Sequence, residues 1–207
     1  MSVRDLAYTD VMNSTGKADL QPTGLVQDRL PIIVESSEVF ETPELNDVAA
    51  LWHAKRGQKK FPSRDDFSMR DLKTVLRSLA FLDVVEAPTG LRYLVKYMGS
   101  ELDAQLVPMT GRFTDEVLDA YFQRKWHHVW NHCLRNACLS RSISRAEYRE
   151  RQYAYVEGFY APLASDGEHI DKLMIVACYH QAEAATESSR RCAETLKRRF
   201  ISEIGNV

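Results

Sequence analysis

Leu79 to Met98, LAFLDVVEAPTGLRYLVKYM, reads as a β-hairpin and little else. Its first half is apolar enough for a buried strand. Pro88, Thr89 and Gly90 then interrupt it with turn chemistry between two apolar runs. In the second half Leu91, Tyr93, Val95 and Tyr97 fall on one face, with Arg92, Leu94, Lys96 and Met98 on the other, the period of a strand. The hairpin opens a sheet, and the rest of the chain has to complete and cover it.

A helix precedes it. Thr42 is placed to cap free amides, Pro43 suits the first helical position, and Leu45, Val48, Leu51 and Trp52 follow at helical spacing until Gly57. Trp52 reads as a core anchor. After Phe61-Pro62 a second helix is expected from Ser68, with Asp71 as its capping partner and Leu72, Val75, Leu76 and Leu79 as its buried stripe. Beyond the hairpin comes a short helical stretch ended by Pro108, then the loop Met109–Phe113. Thr114 is expected to cap a long helix beginning at Asp115-Glu116, with Leu118, Phe122, Trp126, Val129 and Cys133 as its stripe. Leu139–Ala146, Gln152–Ala164 and Lys172–Gln181 read as strands, the last two joined by Ser165-Asp166-Gly167. Residues 184–207 form a C-terminal amphipathic helix with Ala193, Leu196, Phe200 and Ile204 in line, able to pair with a twin or to fold back on its own sheet.

Residues 1–40 are polar and aperiodic apart from Leu30–Val34, so they are expected to be a mobile arm whose end docks on the domain at 41–183. With 207 residues, 44% hydrophobic and 27% charged, the chain suits one ordinary domain plus tails. A net charge of -2 argues against a general nucleic-acid binder or a polybasic membrane surface. No early segment reads as a signal peptide, and no apolar run approaches the ~20 residues that span a bilayer. Four cysteines without CxxC spacing read as cytosolic thiols, and the expected localisation is cytoplasmic.

The segments LWHAKRG (51–57), FPSRDDF (61–67), RDLKTVL (70–76), LAFLDVVE (79–86), LRYLVKYMGSEL (91–102) and MTGRF (109–113) follow one another in an order that resembles a family of small bacterial stand-alone PAS proteins. The resemblance is firm over 45–115 and looser to 182. It implies an α+β fold: a PAS-like five-stranded antiparallel sheet with helices packed on one face, plus flanking N- and C-terminal helices. It also implies a signalling module that senses a small molecule or binds regulatory partner proteins, such as a signalling kinase, commonly as a homodimer. Residues expected at a ligand are Arg92, Tyr97, Arg112, Trp126, Trp130 and Tyr153. No cofactor is specified.

The remaining chemistry is sparse. His127, His128 and His132 lie on the long helix, and His128 and His132 share a face, but no HExxH glutamate or third ligand accompanies them. Surface or partner-contact histidines are the plainer reading, and no metal site is expected. Because some PAS sensors hold haem iron through a histidine on this helix, a haem-dependent gas or redox sensor ligated by His127 or His132 is the alternative. Cys133 lies on the apolar stripe, about 100° around the helix from His132, and reads as a core cysteine. Arg112 is expected to pair with a carboxylate such as Asp115, and Asp83 reads either as a buried acceptor with Arg92 or Arg112 as its partner or as a residue facing solvent at a sheet edge. No phosphate loop, nucleophile elbow or carboxylate pair appears, so no catalytic residue is expected and the module reads as non-enzymatic.

Overall fold

The computed structural model describes residues 11–12, 18–19, 30–146, 154–181 and 186–205. Most of the expected arm, and Tyr153, lie outside the described residues. In chain order the strands are β1 (Val11–Met12), β2 (Ala18–Asp19), β3 (Ile32–Ser36), β4 (Leu79–Ala87), β5 (Gly90–Met98), β6 (Ser140–Arg145), β7 (Ala154–Leu163) and β8 (Lys172–Gln181). The helices are α1 (Pro43–Arg56), α2 (Ser100–Gln105), α3 (Thr114–Val117), α4 (Ala120–Asn136) and α5 (Glu187–Ile204). β1 and β2 pair only with each other, and the other six strands form one antiparallel sheet in the order β3-β6-β7-β8-β4-β5.

The sheet has six strands where five were expected. The extra one comes from the short apolar run at 30–34, which is too small to make a core but long enough to pair: Ile32 to Ser36 run antiparallel to Ser144 to Ser140 along the edge of β6. The fold is α+β as expected. Helices cover both sheet faces rather than one, however, because α1 and α5 lie across the side opposite α4.

The hairpin forms with a fault in its register. Phe81 pairs with Tyr97 and Leu82 with Val95, so Lys96 is the extra residue of a β-bulge. A strict alternation would put Tyr93, Val95 and Tyr97 on one face. The bulge sends Tyr97 to the other, where it packs near Phe81 and donates a 3.0 Å hydrogen bond to the Leu76 carbonyl. Met98 takes its place in the first core beside Ala80 and Leu82.

The second face is built on α1. Trp52, 3% exposed, donates from Nε1 to the Pro162 carbonyl at 3.0 Å and packs with Leu45, Phe61, Phe67, Leu72, Phe159 and Met174. Gly57, with φ 54°, ends α1 as the sequence indicates. The expected second helix is absent as an α-helix: residues 69–75 form successive turns and Leu76–Ser78 one 3₁₀ turn. Ser68 and Asp71 do exchange their capping hydrogen bonds, but Lys55 holds Asp71 from α1 at 2.8 Å. The carbonyls of Leu76 and Arg77 are pressed against Gly99, where an added Cβ would lie 2.2 Å from the Leu76 oxygen. The apolar spacing is met by turns, with Leu72 and Val75 buried as a helical stripe would bury them.

α5 folds back on the same face. Leu196 and Phe200 pack on Ile33, Ile143 and Tyr155, and Arg199 clasps Glu35 of β3 with both terminal nitrogens. Between α1 and α5 lies a buried polar cluster on Glu157, which is fully buried. It accepts from the Thr42 amide at 2.8 Å, the Thr42 hydroxyl at 2.6 Å and the Glu41 amide at 3.0 Å, and it meets Arg141 at 2.5 Å. Thr42 therefore turns its side chain to Glu157 rather than capping α1, because an unpaired carboxylate in the core costs more than an uncapped amide at its edge.

Candidate functional site

The first face of the sheet and α4 border a partly open cavity of about 120 Å³. α4 starts five residues later than Asp115. Thr114–Val117 form the separate short α3, and Asp119 caps α4 by accepting from the amides of Tyr121 and Phe122. Displaced from the capping role, Thr114 is 1% exposed and lines the cavity, and its buried hydroxyl has no hydrogen-bond partner. Leaving such a group dry costs about 1–3 kcal/mol. At the other end Ala137 takes the left-handed conformation (φ 50°) that closes α4.

The strands contribute Ala80, Leu82, Val95, Met98, Val156, Ile175 and Ala177, and α2 with the following loop adds Leu102, Leu106 and Met109. The helix contributes Phe122, Trp126 and Trp130, whose rings follow one another at 5.9 Å between centroids. Polar groups enter at few points: Thr114, Lys125, Ser142, Ser144, Arg145, Tyr160 and Tyr179. Tyr160 and Ser142 share a 3.0 Å hydrogen bond, and burial pushes the Tyr160 phenol up to about 12, so it stays neutral. Gly158 makes room for that pair, since a Cβ there would lie 2.6 Å from the Tyr160 hydroxyl. Lys125 is 3% exposed, an unusual depth for an ammonium group.

Of the residues expected at a ligand, the structure brings Trp126 and Trp130 to the cavity. Arg92 lies on the outer side of the hairpin, where it grips Asp115 with two hydrogen bonds of 2.8 and 2.9 Å, reaches Glu116 and covers the Phe113 ring at 3.8 Å. It holds the 109–116 segment down, and its guanidinium keeps the Asp115 carboxyl below the usual carboxylate range. Tyr97 is on the opposite face, and Arg112 is exposed, reaching the Glu116 carbonyl at 3.5 Å. Arg92 rather than Arg112 is thus the partner of Asp115. Asp83 faces Lys172 at 3.3 Å and Lys96 at 3.8 Å, not either arginine. The residues that sequence reasoning missed are Thr114, Lys125 and Arg145. Lys125 could have been found, because it lies one turn after Phe122 on the apolar stripe.

The histidines sit outside. His127 packs between Tyr93 (4.9 Å) and Trp130 (5.6 Å), and with His128 and His132 it borders a groove on the outer side of α4. His132 bonds the Ser36 hydroxyl at 3.2 Å. Among the described residues no histidine lines the cavity, so His127 and His132, the expected haem ligands, do not border it. Cys133 is fully buried, its thiol directed to the Cys138 carbonyl at 3.3 Å and pushed well above the ordinary thiol range by burial. It is a core residue. No group of three or more His, Cys, Asp or Glu that could hold a metal occurs among the described residues.

No family model matches the chain, and no curated protein matches it. Among solved structures one match is an RNA-binding light-oxygen-voltage receptor, with 12% identity and a TM-score of 0.36. The alignment covers 63% of this chain and 36% of that receptor, so this chain spans about a third of its length. The likeness is loose and leaves the family unassigned. No helix among the described residues is long and apolar enough to cross a membrane.

Proposed function

We propose that this chain is a non-enzymatic sensory module of PAS type that takes a small molecule into the cavity beneath α4 and passes its occupancy to a regulatory protein partner. The cavity itself carries this reading. Close-packed interiors leave few voids larger than a water molecule, and a cavity of about 150 Å³ is known to hold a benzene ring. A hollow of about 120 Å³ walled by two tryptophans and aliphatic chains is therefore suited to a ligand of about one ring. Its walls come from all six strands of the sheet and from α2, α3 and α4, so an occupant that pushes on α4 strains the whole first face. That is how a bound molecule shifts a conformational population that a partner can read.

The test is native mass spectrometry of the purified protein beside a cavity-filled variant, Ala177→Phe. A bound mass on the native protein that is missing from the variant is the expected result. A mass that persists in the variant places the ligand elsewhere, and steady chemical conversion of the recovered ligand by the protein would overturn the non-enzymatic reading.

A further inference from the structure

Resting on the reading of the cavity as a ligand site, we propose that its ligand is an uncharged single ring bearing a hydroxyl, a phenol-like molecule, with the ring over Ile175 and Ala177 and the hydroxyl on the Tyr160–Ser142 pair. The register of the sheet brings these groups together. Ser142, Gly158 and Ala177 stand opposite one another across β6, β7 and β8, and Tyr160 and Ile175 are partners in the adjacent row. Side chains alternate along a strand, so all of these belong to the face under α4. A Cβ on Gly158 would lie 2.6 Å from the Tyr160 hydroxyl and 2.7 Å from the Ser142 hydroxyl, so the pair occupies the space of the missing side chain. The two hydroxyls carry two protons and their mutual 3.0 Å bond uses one, which leaves the other uncommitted among the described residues. Ser142 is 3% exposed, and a buried hydroxyl proton without an acceptor is destabilising. A ligand hydroxyl both accepts and donates, so it meets the pair whichever member holds the spare proton.

The same wall disfavours a charged ligand. Lys125 and Arg145 are the charged residues of the described lining, and both already have interaction partners. Arg145 also alternates with Ile143, which packs under α5, so its side chain belongs to the opposite face of the sheet. Burial keeps the phenols of Tyr160 and Tyr179 protonated. An anion in the cavity would lose its water without gaining an unpaired cation, whereas a neutral molecule loses far less. Beyond β8 the strands β4 and β5 offer Ala80, Leu82, Val95 and Met98. The floor is thus hydroxylic on β6 and β7 and aliphatic on β4 and β5, which suits a ring with one polar substituent better than a bare hydrocarbon.

Phenol, toluene and benzoate, alike in ring and different in the group it carries, test this on the full chain. Met98 and Met109 line the cavity, so their methyl resonances report where a probe binds. In a site that is only apolar toluene is the stronger binder, because phenol has to leave its hydrogen bonds to water behind. The expected result is that phenol shifts both methyls and binds about tenfold more tightly than toluene or benzoate. Tyr160→Phe keeps the ring over Gly158 and removes the hydroxyl; it should weaken phenol about fivefold and leave toluene within about twofold. Ser142→Ala serves the same purpose should the first variant fail to fold. If toluene binds as well as phenol, or if the folded variants bind phenol unchanged, the hydroxyl assignment is overturned while the ligand cavity stands. Benzoate that shifts the methyls and binds more tightly than phenol overturns the uncharged ligand in the same way. If none of the three probes moves the methyls, both this assignment and the cavity reading fall.

Discussion

Glu157 shows what one buried carboxylate demands of its neighbours. The Thr42 hydroxyl donates to it at 2.6 Å, so His180 Nε2, 2.7 Å from the same oxygen, is left to donate to Thr42, and His180 Nδ1 can accept from the Ser189 hydroxyl at 3.4 Å. The neutral ring satisfies both contacts. Burial holds the His180 pKa below the usual imidazole value, against the pull of Glu157 and Glu44. Unfolded histidine titrates near ~6.5, so below that pH the unfolded chain binds more protons and stability falls as the solution is acidified. His127 and His132 are shifted down by burial as well and carry the same sign. The melting temperature should drop between about pH 7.5 and about pH 5.5, and His180→Gln should flatten part of that slope. An unchanged slope would show that the ring does not titrate there. Thr42→Val, which strips a donor from Glu157 and a partner from His180, should cost about 1–3 kcal/mol in urea denaturation without touching the cavity.

Among the elements, the legible ones announced their own period. The hairpin, α1, the three late strands and α5 stand where alternation or helical spacing placed them. The segment after Ser68 shows the limit of that reasoning. Leu72 and Val75 are buried as a helical stripe requires, yet residues 69–75 form turns and Leu76–Ser78 a 3₁₀ turn whose carbonyls press on Gly99. The bulge at Lys96 was equally hidden, because register depends on the partner strand rather than on the strand itself. The cavity's polar wall was illegible for a related reason: lysine and arginine read as solvated until a second layer is known to cover them. α5 was left with two fates, and Leu196 (fully buried) and Phe200 (1% exposed) settle it on its own sheet. Phe200→Ala should therefore destabilise the isolated chain by about 3–5 kcal/mol by denaturant titration. A cost well under 1 kcal/mol would mean that the helix packs elsewhere in solution.

At the scale of the molecule, the sheet is a floor shared by two unlike layers. Above it α4 leaves a hollow; below it α1 and α5 close a dense core with a charged centre. β3 serves both, since Ile32 lines the hollow, Ile33 packs under α5 and Glu35 is held by Arg199. It is also one of the two edge strands, the other being β5, and with it gone β6 would present its longer bare ladder of amides and carbonyls to water. Such a ladder is a template on which another chain can add itself. A variant beginning at Ser37 should thus self-associate more strongly with rising concentration in size-exclusion chromatography than the full chain does. Five residues from an otherwise polar stretch would then trade the six-residue edge of β6 for a shorter one tied to α5 through Glu35 and Arg199.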